Sequence, residues 1–303
     1  MRTNYLLAAL FILAAGCKTR LYDLEQSGDS QSSPPADQSF QTPPIDFAAP
    51  LDLTVFPDLL PPPDLTPPHY CDGIYVFDES QQFSFFDPKQ LQFHDIAILS
   101  CPASPGATPF SMALRRDGIA FVEYTSGELF RVNSQSGLCA ATNFNIGQHG
   151  FQNFGMGFAS DGPNSANETL YVAGFPMAGL ASIDLQTLAL NPIAPLPWGA
   201  ELTGTGAGEL WGFFGESPAH AGRIDKATGQ IAPDFPLPQL GDVTQDGYAF
   251  GFFGGVFYIF LVPPGGSTSV YRFNPADGSV SDILMNTGRR IIGAGVSTCA
   301  PQQ

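Results

Sequence analysis

A short signature recurs along the chain, and this self-similarity constrains the fold more than any other feature. It is a strand, then Asp or Asn, a turn, and a second strand. It reads FSFFDPKQLQF at 83–93, ELFRVNSQSGLCA at 128–140, LASIDLQTLAL at 180–190, AGRIDKATGQIA at 221–232 and SVYRFNPADGSVS at 269–281. The polar anchors Asp87, Asn133, Asp184, Asp225 and Asn274 are spaced by 46, 51, 41 and 49 residues. An Asp or Asn side chain at that place can accept hydrogen bonds from the amides of the turn. Gly137, Gly229 and Gly278 can supply the positive φ that such a hairpin loop needs.

A further hairpin precedes most signatures. FSMALRRDGIAFVEY turns at Asp117-Gly118, AELTGTGAGELWGFF at Ala207-Gly208 and YAFGFFGGVFYIF at Gly254-Gly255, while FGMGFASDG leads through a longer loop into TLYVAG. Four strands in a repeat of about 40–50 residues is the period of a β-propeller blade. The first strand of each unit is rich in small residues (Gly155, Gly157, Gly204, Gly206, Gly251), as expected of strands crowded around a central axis. The first repeat begins at its second strand, GIYVFDES, and the chain ends on a spare strand, RIIGAGVSTCA. Setting 291–299 beside 74–79 closes a ring of five blades and leaves no free edge. A six-bladed ring with one degenerate blade and a β-sandwich are the alternatives. Closure brings Cys71 and Cys299 together, and a disulfide there would lock the ring. Cys101 and Cys139 then pair by exclusion, although a flat strand map places them toward opposite faces.

The x-D-x-x-T-G form of the signature, with aromatic strands around it, resembles the repeats of quinoprotein-like and NHL-like propellers. That likeness implies a fold only. No catalytic motif of those families is present, and with Trp198 and Trp211 the only tryptophans, the docking motifs of a quinone cofactor are missing. No cofactor is expected.

The N-terminus carries an address rather than a fold element. Arg2 precedes an apolar run from Tyr5 to Ala15, too short to span a bilayer as a helix, and then Leu13-Ala14-Ala15-Gly16-Cys17. This is the layout of an export signal, and its last five residues resemble the lipobox of bacterial lipoproteins. The resemblance implies that 1–16 are removed and that Cys17 carries a thioether-linked lipid and an acylated amino group. Such a multiply acylated cysteine is a stable membrane anchor. Residue 18 is Lys rather than the Asp that retains some lipoproteins in the inner membrane, which favours the outer membrane. Residues 18–69 show no helical or strand period. They are rich in Pro and Asp (TPPID, FPDLLPPPDLTPP), with eight acidic residues against Lys18 and Arg20. Such a segment buries too little apolar surface to fold alone. It reads as an extended tether with a span of about 40 Å or more. The layout of 1–16 signal, 17–69 lipidated spacer and 70–303 propeller is similar to predicted lipoproteins of myxobacteria.

Charge narrows the function further. The chain has 12 Lys and Arg against 28 Asp and Glu, a net charge of −16. It therefore lacks the basic footprint that a nucleic-acid binder uses to release counterions. The cysteines show no C-x-x-C, and none of His69, His94, His149 and His220 stands at a metal-ligand spacing from another, so no metal is expected. These histidines are expected in loops or on the surface. The loop 160–168 has six oxygen-bearing side chains but not the alternating acidic spacing of a calcium loop. There is no nucleophile elbow and no phosphate-binding loop. Abundant Phe argues for core rather than for a sugar platform. Ligands of propellers enter at the axial mouth, on the loops leading into the innermost strands. On the strand map these carry Ser111, Arg115, His149, Phe154, Glu201 and Arg290, with Glu201 the foremost polar candidate and no partner carboxylate in view. The expectation at this level is a monomeric, lipid-anchored envelope module that binds a ligand the sequence does not name, an envelope protein or glycan being the candidate partners. The alternative is a hydrolase or lyase working at the axial mouth.

Overall fold

A computed structural model describes residues 69–163, 165–175, 179–241 and 247–303. The expected export signal, Cys17 and the expected spacer up to residue 68 lie outside the described residues, as does Asn164 of the polar loop. Contacts divide the chain into two units, Met1–Pro61 and Pro62–Gln303, and the described residues all belong to the second.

The described chain is a five-bladed β-propeller, each blade a four-stranded antiparallel sheet. The first blade contains β1 (Ile74–Asp78), β2 (Gln82–Asp87) and β3 (Gln92–Ile98). The second has β4 (Pro109–Leu114), β5 (Ile119–Tyr124), β6 (Leu129–Asn133) and β7 (Cys139–Ala141). The third has β8 (Asn153–Ser160), β9 (Glu168–Phe175), β10 (Leu180–Ile183) and β11 (Leu190–Ala194). The fourth has β12 (Glu201–Gly204), β13 (Leu210–Phe214), β14 (His220–Ile224) and β15 (Ile231–Pro236). The fifth has β16 (Tyr248–Phe253), β17 (Val256–Leu261), β18 (Ser269–Asn274) and β19 (Ser279–Leu284). The last strand, β20 (Ile291–Gly295), is the innermost strand of the first blade. It pairs antiparallel with β1, Tyr75 opposite Gly295 and Val76 opposite Ala294. The Cys71–Cys299 disulfide sits at this junction. Closure is therefore both a strand pairing and a covalent bond.

The repeated signature does the same local work in every blade. Asp184 Oδ1 accepts from the amides of Gln186 and Thr187 at 2.9 and 2.8 Å, and Asp225 Oδ1 from those of Ala227 and Thr228 at 3.0 and 2.8 Å. Asp87, Asn133 and Asn274 accept from turn amides in the same way. The left-handed residue next in the turn is Gly137, Gly229 or Gly278 in three blades and Leu91 or Leu188, at φ 56° and 58°, in the others.

The inner strands β4, β8, β12, β16 and β20 neighbour one another around the axis. Glycine sets how closely they approach. A Cβ on Gly155 would lie 2.0 Å from the Ala200 carbonyl oxygen, and one on Gly204 would lie 2.1 Å from that of Phe158. Between blades the core is rich in phenylalanine, as its abundance implies. Phe213 of the fourth blade meets Phe250 of the fifth at 5.8 Å, and Phe86 of the first meets Phe260 of the fifth edge to face at 5.5 Å. Each such ring contributes roughly 1.5–3 kcal/mol by leaving water.

Two expectations change on folding. Cys101 and Cys139 do pair, with Cα atoms 5.1 Å apart, despite the flat map that set them apart. Adjacent strands rotate by about 20–25°. Across a four-stranded blade this swings the end of β3 and the segment after it onto the β6–β7 turn of the next blade, where Ala97 and Leu99 lie against Gly137. His220 is not a surface residue. It is 7% exposed in β14, stacks on Phe214 at 4.6 Å, and its Nδ1 lies 2.7 Å from Asp234 Oδ1.

Candidate functional site at the axial mouth

The inner strands start on one face of the ring, where the entries of β4, β12, β16 and β20, with Phe175 at the end of β9, line a cleft of about 670 Å³. Phe110, Phe175, Tyr248 and Ile292 form its apolar walls, and Glu201 and Glu79 are the ionisable acids that reach it. This volume is in the range of small-molecule sites, which are mostly apolar with a few placed polar groups.

Glu201 opens β12 and is 4% exposed. Its Oε2 accepts a hydrogen bond from Ser111 Oγ of β4 at 2.9 Å. Ser111 Oγ in turn accepts from the Met156 amide of β8 at 3.2 Å. Ser111 pairs across the blade with Glu123 of β5. Glu123 is completely buried, and its Oε2 accepts from the Phe154 amide at 3.0 Å. Two carboxyl groups thus flank one serine, and β8 supplies a backbone donor to Glu123 and another to Ser111. Burial pushes both carboxyls well above the usual carboxylate range. For Glu201 the Ser111 hydroxyl opposes that shift. For Glu123 the Phe154 amide opposes it and the charge of Glu201 adds to it. The Tyr248 phenol is raised as well, first by burial and then by Glu201. Both glutamates are therefore held protonated over a wider pH range than free ones.

Of the residues singled out from sequence, Glu201 and Ser111 are brought into contact at the mouth. Phe154 takes part through its amide. Arg290 stands at the rim, its Nε and Nη2 donating to Glu79 Oε2 and Oε1 at 2.7 and 3.0 Å. Arg115 and His149 are elsewhere. Arg115 follows the far end of β4 and forms an ion pair with Asp117 on the turn into β5. His149 lies in the 3-10 turn Gln148–Gly150 before β8, exposed and with φ 52°.

Sequence reasoning missed Glu123. Its one signal is a carboxylate between Val122 and Tyr124 in an otherwise apolar strand. Arg116, also missed, ties the opposite ends of the inner strands. Its Nη2 donates to Ser160 Oγ and Thr298 Oγ1 at 2.7 Å each, and Thr298 Oγ1 donates to Glu168 Oε2 at 2.6 Å. Glu168 of the polar loop is thereby turned toward Arg116 and Thr298. Among the described residues no cluster of three or more His, Cys, Asp or Glu side chains is arranged to hold a metal. No helix among them is long and apolar enough to cross a membrane.

No protein-family model matches the chain, and no curated protein matches it. Solved structures do resemble it. One is a protein of unknown function from Bacteroides caccae, at 11% identity and a TM-score of 0.45, covering 73% of this chain and 97% of that one. TolB from Acinetobacter baumannii follows at 13% and 0.40, covering 70% of this chain and 52% of TolB. BamB from Moraxella catarrhalis is similar at 15% and 0.32, covering 73% of this chain and 60% of BamB.

Proposed function

We propose that this chain is a lipid-anchored binding module of the bacterial envelope whose ligand enters the axial mouth. In this reading residues 1–16 direct export, Cys17 carries the lipid in the outer membrane, and 17–69 hold the propeller, residues 70–303, away from the bilayer. The paired cysteines agree with folding in an oxidising compartment.

The observation that carries the binding role is the composition of the mouth. Aromatic and aliphatic walls enclose a cleft into which Glu201 projects, held by Ser111. The Glu201–Glu123 pair is what favours the alternative, a hydrolase or lyase. Acid–base catalysis needs both groups within hydrogen-bond reach of the substrate. Glu123 has no exposed surface, and its Oε2 is taken by the Phe154 amide. Of that pair only Glu201 is reachable, and Glu79, the other acid lining the cleft, has both oxygens held by Arg290, an arrangement that suits recognition better than two-carboxylate chemistry.

The anchor is tested by fractionating cells that express Cys17→Ser. The variant is expected in the soluble envelope fraction, and its retention in the membrane would overturn the lipid assignment. The binding role is tested by screening envelope-derived compounds for saturable binding to the purified chain and to Phe175→Ala. Weaker binding by the variant supports the mouth. Turnover of a compound at a rate abolished by Glu201→Gln would replace the binding reading with an enzymatic one.

A further inference from the structure

The mouth holds two buried acids and no basic side chain against either. Among the described residues neither Glu123 nor Glu201 forms an ion pair. The basic group at the rim is already engaged. Arg290 holds Glu79 through Nε and Nη2 and donates from Nη1 to the Gly266 carbonyl at 2.6 Å. A buried carboxylate without a counter-charge is costly, so such a group either keeps its proton or waits for a cation.

The geometry leaves room for that cation. The hydrogen bond from Ser111 goes to Glu201 Oε2. Among the described residues Oε1 accepts none, and this side chain lines the cleft. Phe110 and Phe175 stand edge to face at 5.7 Å beside it and, with Tyr248, present ring surface. Aromatic faces attract ammonium groups, and apolar walls receive the stem that carries one. Thr108 and Thr125 also line the cleft, and their hydroxyls are acceptors for a group with several N–H donors. An anion would meet Glu201 and Glu79 instead, on a chain of net charge −16.

We infer that the axial mouth takes a small organic ammonium ion, a primary amine cation on an alkyl or phenylalkyl stem, with its nitrogen on Glu201 Oε1 and its stem against the cleft-facing surface of the Phe110 and Phe175 rings. This rests on the reading of the mouth as the ligand site and names the chemistry of that ligand. The cation ion-pairs with the Glu201 carboxylate, and the proton that Glu201 carried goes to solvent. The charged or titratable groups around that exchange are Glu123, Tyr248, Glu216 beyond Tyr248, and the Glu79–Arg290 pair.

The test is calorimetric titration of the purified chain with phenethylammonium, its neutral isostere phenethyl alcohol and the anion hydrocinnamate. Phenethylammonium is expected to bind at least about tenfold more tightly than the alcohol, a difference of about 1.4 kcal/mol. Proton release should appear as a binding heat that varies with the ionisation enthalpy of the buffer. Glu201→Gln should bring the ammonium-to-alcohol ratio to about one, and Phe110→Ala should weaken both probes. Should the alcohol or the acid bind as tightly as the ammonium, while Phe110→Ala weakens them, the mouth remains a ligand site and the cation inference fails. If none of the three probes binds, the ammonium inference fails, while the reading of the mouth as a ligand site stands or falls on the compound screen with Phe175→Ala.

Discussion

Ser111 and Glu201 meet at 2.9 Å although they belong to the second and fourth blades, and the Met156 amide of the blade between them donates to the same serine hydroxyl. One hydroxyl therefore satisfies groups from two other blades at the mouth. Ser111→Ala leaves the Met156 amide and Glu201 Oε2 buried without a partner. The expected loss is about 1–3 kcal/mol, read as a lower denaturation midpoint at unchanged m-value. A change below about 0.5 kcal/mol would mean that water or a shifted side chain replaces the serine.

The buried acids set the sign of one pH dependence. Both glutamates have folded-state pKa values raised above the ordinary 4.5, chiefly by burial. The folded state holds their protons more tightly than the unfolded one. Their stabilising contribution is full below pH 4.5 and is lost as the pH rises through the folded values. Denaturation curves from weakly acidic to alkaline pH are expected to show falling stability. Glu201→Gln, which cannot ionise, should flatten that fall. An equally steep fall in the variant would place its origin elsewhere. The turn residues Asp184 and Asp225 work in the opposite sense. Hydrogen bonds from turn amides lower their values below 3.8, so their contribution is lost only on acidification.

The disulfides differ in the loop each closes. Cys71–Cys299 spans 228 residues and Cys101–Cys139 spans 38. Chain-entropy reasoning gives the longer loop the larger effect, by about 1.5 kcal/mol. The double variant Cys71→Ala/Cys299→Ala is expected to lose more stability in equilibrium denaturation than Cys101→Ala/Cys139→Ala. The reverse order would show that blade-to-blade stapling outweighs ring closure.

Glycine at the axis is testable one residue at a time. Gly155→Ala drives a methyl to 2.0 Å from the Ala200 carbonyl oxygen, between two backbones that cannot both give way. A loss of about 3 kcal/mol or more is expected. Gly162→Ala, with nothing within 4 Å of its added carbon, serves as the control. It should stay within about 0.5 kcal/mol of the parent in thermal or chemical unfolding. Similar behaviour of the two variants would mean that the ring can widen to take the methyl.

Sequence alone determined what depends on neighbours along the chain. The Asp or Asn anchors accept from amides within the same turn, so the blade period was readable, and with it the strand count and the missing first strand that β20 supplies. The Cys71–Cys299 bond could be read too, because ring closure puts the two ends of the propeller side by side. Glu201 and Ser111 were legible as mouth residues, since both sit near the start of an inner strand. Tertiary structure decided what depends on three-dimensional approach. The twist of the blades, not strand order, joined Cys101 to Cys139. The β4–β5 register set Glu123 opposite Ser111, and packing against β8 buried it and supplied its Phe154 amide donor, where a pattern read one strand at a time shows only a stray carboxylate. Arg115 fell at the far end of its strand because its place along the axis is set by where β4 begins. The cleft itself belongs to no repeat. It is what remains where the entries of four inner strands meet the ends of β5 and β9, and its walls come from residues far apart in sequence.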